Sequence, residues 1–205
     1  MLEQHRVDVV LDVGAARGGY ATELREFGYT GRIVSFEPLA AAHRDLVAAT
    51  AGDAGWTTRN VALGAEAGSH EINVASNSDS SSLLPMSASH RDAEPDISYV
   101  GTETITVDRL DDVAPEVLQD SSRPFLKIDT QGFERSVLAG GEQTLERCVG
   151  LQLELSFVTL YEGGMLVDEA LSFAYDHGFR LVGMDPGFAD PGGAVLQADG
   201  VFFRA

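Results

Sequence analysis

Basic side chains are scarce in this sequence: 14 lysines and arginines stand against 32 aspartates and glutamates, for a net charge of −18. Such a surface repels phosphate backbones and anionic membranes, so nucleic acid is not an expected partner. A neutral polyol or a cationic ligand meets no such repulsion. Cysteine is rarer still. The single Cys148 has no partner for an internal disulfide. It stands at the end of an expected helix, before the apolar segment Val149, Leu151, Leu153, Leu155, where a small buried hydrophobe fits. No window is apolar for the length of a membrane span, and Met1 to Arg6 carries no apolar signal region, so a soluble cytoplasmic protein is expected. At 205 residues the chain can bury one sizeable core but not two catalytic domains, so one domain over 1–205 is expected.

What is present is an alternation of short β-branched runs with segments of helical period, the pattern of an α/β fold with a mostly parallel sheet. Val7 to Val13 reads as a buried first strand. Tyr20, Leu24 and Phe27 then give a helix one apolar face, and Gly28 closes it. Arg32 to Phe36 is the second strand, with Pro38 at a helix start and Leu39, Leu46 and Ala49 as the inner stripe. A third strand is expected over about Trp56 to Leu63, and further strands at Glu71–Ala75 and Glu103–Val107. Between them, Ser76 to Val100 is rich in Ser, Asp and Pro without sustained periodicity, which predicts a loop or lid. Phe125–Asp129, a helix from about Phe133, and Gly150–Ser156 follow. Val167, Leu171, Ala174 and Tyr175 mark a last helix. The chain ends in two strands, Phe179–Met184 and about Ala194–Phe203, joined too briefly for a parallel crossover and so antiparallel.

The first strand runs into Asp12-Val13-Gly14-Ala15-Ala16-Arg17-Gly18-Gly19 and then into a helix. Glycines there let a ligand approach backbone closely, as at a nucleotide site. The spacing Gly14, Ala16, Gly18 departs from the G-x-G-x-x-G dinucleotide fingerprint. Glu37 ends the second strand, where a carboxylate accepts hydrogen bonds from ribose hydroxyls or merely favours the next helix's N-terminus. Together they indicate an adenosine-containing cofactor, and leave NAD and S-adenosylmethionine both open.

Phe125-Leu126-Lys127-Ile128-Asp129-Thr130-Gln131-Gly132-Phe133-Glu134 puts polar residues at a further carboxyl strand end. Here the sequence resembles the FkbM family of methyltransferases. Asp12-Val13-Gly14-Ala15, Ser35-Phe36-Glu37-Pro38, Val61-Ala62-Leu63-Gly64, Ser80-Ser81-Ser82-Leu83-Leu84, Leu151 to Ser156, Leu160-Tyr161-Glu162-Gly163 and Leu196 to Arg204 carry the resemblance in order. It implies a Rossmann-like class I methyltransferase sheet of seven strands with an antiparallel last strand. It also implies S-adenosylmethionine as cofactor and O-methylation of a sugar, glycosylated metabolite or polyketide. By position, Asp12, Gly14, Ala15 and Gly18 would cradle the methionine end, Glu37 the ribose, and Asn60, Val61 and Ala62 the adenine. Family members commonly carry Asn where this chain has Ala16. They also often carry helices ahead of the first strand, whereas six residues precede Val7 here. Closure would then fall to 76–100, to 157–166 or to a second subunit in a homo-oligomer.

For the transfer itself, a hydroxyl acceptor needs a base or a metal. Asp129 and Glu154 both fall at carboxyl strand ends. They share a divalent cation such as Mg, or one acts as base, or they serve more modestly, Asp129 on the cofactor's ammonium and Glu154 in a structural hydrogen bond. His90, in the expected lid, is a second candidate base or a solvated surface residue. Lys127 orients the carboxylates or snorkels from the sheet. Two other readings stay open. An NAD-dependent oxidoreductase fits the glycine turn but lacks a Tyr-x-x-x-Lys pair, and a non-catalytic cofactor-binding module fits Ala16 and the short start.

Overall fold

The computed structural model describes residues 1–121 and 123–204. Its order begins β1 (Val9–Val13), α1 (Gly19–Glu26), β2 (Arg32–Phe36), α2 (Ala40–Ala49) and β3 (Trp56–Arg59), parallel strands returning through helices. Next come β4 (Ala62–Leu63), β5 (Gly68–Ala75), α3 (Ala88–Ala93), β6 (Tyr99–Asp108) and α4 (Leu110–Leu118). The rest is β7 (Pro124–Ile128), α5 (Glu134–Ala139), α6 (Glu142–Arg147), β8 (Gly150–Ser156), α7 (Val167–Asp176), β9 (Phe179–Pro186) and β10 (Gln197–Arg204). Among the described residues no helix is long and apolar enough to cross a membrane.

Seven strands form one sheet in the order β3-β2-β1-β7-β8-β10-β9, with β10 antiparallel to both of its neighbours. The order reverses between β1 and β7, and the crevice outside the carboxyl ends of those two strands is where such sheets bind ligands. The two-residue period of β1 divides the core. Val9, Leu11 and Val13 face α4, α5 and α7, while Val10 packs with Ala21 of α1, Leu46 of α2 and Phe125. Asp12 shares that second face, so a carboxylate is buried in an otherwise apolar strand. A three-stranded sheet, β4-β6-β5, stands beside the large one and packs Ile72, Ile105 and Val107 against Leu39, Ala42 and Ala62.

Four expectations need correction. The strand expected over 56–63 is two: β3 pairs with β2, and then the chain steps at Asn60 and Val61 so that β4 joins the small sheet. Pro38 lies outside α2, whose N-cap is Leu39. Segment 76–100 is not formless, since it holds α3, capped by Ser87 accepting from the His90 amide. Helix α4 was not expected at all. Leu110, Ala114, Val117 and Leu118 line its buried side at helical spacing despite Pro115 within it.

β10 is held at its end by one side chain. The Arg204 guanidinium donates to the carbonyls of Cys148 at 2.7 Å, His177 at 2.6 Å and Leu145 at 2.8 Å, and lies 4.3 Å from the Phe179 ring centroid. Leu145 and His177 are near the carboxyl ends of α6 and α7, where unpaired carbonyls favour a cation. Arg204→Ala takes the guanidinium from all three carbonyls, of which Leu145 keeps the Cys148 amide, and should lower stability by about 2–4 kcal/mol in urea unfolding. A loss under about 0.5 kcal/mol would show that water replaces the guanidinium at little cost.

Candidate active site

The loop after β1 is shaped by a contact with β7. Gly14 has φ +78, and a Cβ built on it would sit 1.7 Å from the Asp129 carbonyl oxygen, so no other residue fits where these strand ends meet. The Gly14 and Ala15 amides donate to the Phe36 carbonyl, the Gly18 amide to the Ala15 carbonyl, and the Ala16 amide to Glu37 Oε2 at 2.9 Å. Four loop amides are thus engaged within the protein. Ala16 itself has φ 46, a left-handed conformation that Asn tolerates better than Ala.

Glu37 is 6% exposed, and its other oxygen, Oε1, accepts from the Leu39 amide at 2.8 Å. Burial pushes its carboxyl up to about 7, against the opposing pull of the two backbone donors. Asn60 supports it from behind by donating to the carbonyls of Glu37 and Pro38. Around this point lies a cavity of about 280 Å³, lined by Gly14, Glu37, Ala62, Ser81, Lys127 and Asp129 among others. Ala15, Val61, Ser78 and Asp79 also reach it, so segment 76–100 supplies part of its wall.

Lys127 is the only lysine in the sequence. Its Nζ lies 3.2 Å from Asp12 Oδ1 and 3.5 Å from Asp129 Oδ2, and donates to the Gly14 carbonyl at 3.1 Å. Burial alone would lower its pKa, but Asp12 and Asp129 outweigh burial and hold it above its ordinary value. The second oxygen of Asp12 accepts from Ser35 Oγ at 2.9 Å, and the Trp56 indole donates to that same hydroxyl. Tyr20 completes the group, with its ring 5.3 Å from Nζ and its hydroxyl bonded to Gln152.

Several expected site residues stand one layer back. Asp12, Gly18 and Asn60 do not line the cavity; Gly18 instead lets Leu46 and Trp56 pack close to the start of α1. His90 is not solvated surface. It is 3% exposed, held between Tyr161 and Phe188, and burial lowers its pKa. Glu154 and Asp129 do approach each other, joined by Gln131 Nε2 at 3.4 Å and 2.9 Å. Burial first, and then Asp129, raise the Glu154 carboxyl well above its usual range, favouring its protonated form. The shared-cation expectation finds no support in this donor set. An amide donor stands between the two carboxylates, and among the described residues no group of three or more His, Cys, Asp or Glu could hold a metal.

Sequence reasoning missed Tyr20 and Gln131 as site residues, having read the first as core stripe. It also missed Glu134, whose buried Oε1 accepts from the Thr130 amide and hydroxyl and the Gly132 amide, fixing the turn after β7. Its spacing from Asp129 was the available signal.

The folded Glu37 carboxyl binds its proton more tightly than the ordinary carboxyl at 4.5. Its contribution to stability is therefore full below pH 4.5 and is lost as pH rises to about 7, on the order of 3 kcal/mol in total. Urea unfolding of the Glu37→Gln variant should lack that decline relative to the parent. Parallel pH profiles for the two proteins would mean that Glu37 is ionised at no cost.

A family profile described as the methyltransferase FkbM domain matches residues 12–181. No curated protein matches the chain in sequence. Among solved structures, fibrillarin from Aeropyrum pernix with bound S-adenosyl-L-methionine superposes with a TM-score of 0.53 at 12% identity, over 95% of this chain and 66% of that one. A putative tRNA (m1A22) methyltransferase from Streptococcus pneumoniae, also with S-adenosyl-L-methionine, gives 0.53 at 13% identity over 100% and 72%. Magnesium protoporphyrin IX methyltransferase from Synechocystis PCC 6803 gives 0.53 at 10% over 97% and 71%. This chain spans just under two thirds of the fibrillarin. At these identities the likeness concerns the fold, a Rossmann-like methyltransferase sheet, and the profile carries the family: the chain belongs to the FkbM methyltransferases.

Proposed function

We propose that this chain moves a methyl group from S-adenosylmethionine to a hydroxyl oxygen of a sugar, a glycosylated metabolite or a polyketide. The observation that carries the reading is the charge and donor pattern of the cavity. Its one cation among the described residues, Lys127, is already matched by Asp12 and Asp129, and Glu37 adds a further carboxyl. A pyrophosphate needs backbone amides and positive charge, yet the amides of Gly14, Ala15, Ala16 and Gly18 are used internally. That argues for a cationic cofactor over NAD. The same electrostatics disfavour an RNA acceptor for a chain of net charge −18, although one of the fold's neighbours is described as a putative tRNA (m1A22) methyltransferase.

When bound, S-adenosylmethionine supplies an already activated methyl. The protein's share is to orient, exclude water and take a proton. In this reading Glu37 accepts the ribose hydroxyls, each of its oxygens keeping a lone pair beyond the amide bonds. Val61, Ala62 and Leu63 give an apolar wall to the adenine. Asp129, whose side chain is 34% exposed, receives the proton of the acceptor hydroxyl. Lys127 holds the carboxylate in place, and segment 76–100 acts as the lid through Ser78, Asp79, Ser81 and Leu83.

Labelled S-adenosylmethionine incubated with a library of glycosylated metabolites and polyketides should yield products heavier by one methyl on oxygen, read by mass spectrometry. Transfer to nitrogen or carbon alone would reject the hydroxyl reading. Asp129→Asn should cut turnover by about a hundredfold or more with the fold intact. Turnover within about threefold of the parent would remove Asp129 as base.

A further inference from the structure

Gln131 follows the strand-end carboxylate at an uncommon backbone position. Its φ is 54 and that of Gly132 is 94, so two successive residues turn left-handed. A non-glycine residue held there is strained, and the surrounding structure must fix it. Two hydrogen bonds do so. The Gln131 carbonyl accepts from Ser82 Oγ at 2.7 Å, and the Tyr161 hydroxyl donates to Gln131 Oε1 at 2.7 Å. Gly132 lets Tyr161 come that near, because a Cβ on it would meet the Tyr161 Cβ at 2.7 Å.

These partners decide which way the amide points. A hydroxyl donor on Oε1 leaves the two N–H bonds of Nε2 for acceptors, and the acceptors present are Asp129 Oδ1 at 2.9 Å and Glu154 Oε1 at 3.4 Å. Asp129 is then pinned from two sides, Oδ1 by Gln131 and Oδ2 by Lys127. The Tyr161 hydroxyl also lies 3.2 Å from the Ser80 carbonyl and 3.4 Å from His90 Nε2, so segment 80–90 converges on the same oxygen.

We infer that Gln131 is a positioning residue: its amide, held from behind by Tyr161, sets the Asp129 carboxylate for the acceptor, ties it to the buried Glu154 carboxyl and couples it to the docking of segment 80–90. The inference rests on the reading of Asp129 as the group that meets the acceptor. A loosened amide leaves Asp129 free to rotate about Lys127, which costs alignment in the transfer step.

The test uses the full chain, ¹⁵N-labelled at glutamine, with Tyr161→Phe and Gln131→Met as variants. The midpoint of urea unfolding serves as the control for intact folding. The Gln131 side-chain amide signals, identified by their loss in Gln131→Met, should exchange slowly with solvent in the parent and at least about tenfold faster in Tyr161→Phe. Labelled methyl transfer to any acceptor atom should fall about tenfold in Tyr161→Phe and further in Gln131→Met, the loss lying in kcat measured at saturating S-adenosylmethionine. Amide signals in Tyr161→Phe that match the parent overturn the inference whatever the acceptor is. Parental turnover in Gln131→Met overturns the positioning role. Since transfer is counted at any atom, rejection of the hydroxyl reading leaves this test standing, and near-parental turnover in Asp129→Asn identifies failure of the base assignment separately.

Discussion

A lysine placed between two carboxylates at the meeting point of β1 and β7 is the interaction on which the site depends. Lys127 and Asp12 are opposite one another in the register of the central pair, both closed off from water. Asp12 without the lysine would be a buried uncompensated charge, a state that costs several kcal/mol, while Lys127 keeps Asp129 as its second partner. The pair fixes the register of β1 against β7, and that register sets Gly14 against the Asp129 carbonyl. The cavity floor, the direction of Asp129 and the turn into α1 follow from those contacts. Further hydrogen bonds spread the constraint along the sheet, through Ser35 to Trp56 on one side and through Tyr20 to Gln152 on the other.

The parts of this arrangement that local chemistry dictates were legible in the sequence. The glycine turn after a buried strand, Glu37 at the end of the next, and Asp129 at a third announce a ligand-binding edge because strand period and turn chemistry are short-range properties. The terminal antiparallel pair was legible for the same reason, since its short connection permits nothing else. The register between β1 and β7 is set by contacts over 100 residues apart, and no local pattern tells that Asp12 meets Lys127 rather than a ligand. Gly18 and Asn60 were assigned to the cofactor by position along a motif. Their packing against Trp56 and the Glu37 carbonyl belongs to the second layer, which the motif does not specify.

Segment 76–100 was the least legible. Its serines and Asn77 make turns with their own side chains, as Asn77 does with Ser80, and they leave no periodicity behind. Tyr161 and Phe188 come from distant chain positions to bury His90, so a residue that looked like solvated loop lies in a small core. Helix α4 was hidden by the opposite error. Pro115 reads as a breaker, yet the apolar spacing of Leu110, Ala114, Val117 and Leu118 was sufficient to outweigh it.

The use of a single lysine, buried at 4% exposure, has a consequence for how the molecule can be modified. Every exposed side-chain cation is an arginine, whose guanidinium stays protonated and does not act as an acyl acceptor. The one side-chain amine is ion-paired and shielded, and its raised pKa keeps it protonated and non-nucleophilic. Acylating reagents, amine-directed cross-linkers and isopeptide-forming enzymes therefore find no side-chain target on the native surface. Unfolding exposes that amine, so Lys127 acylation reports loss of the β1–β7 junction itself.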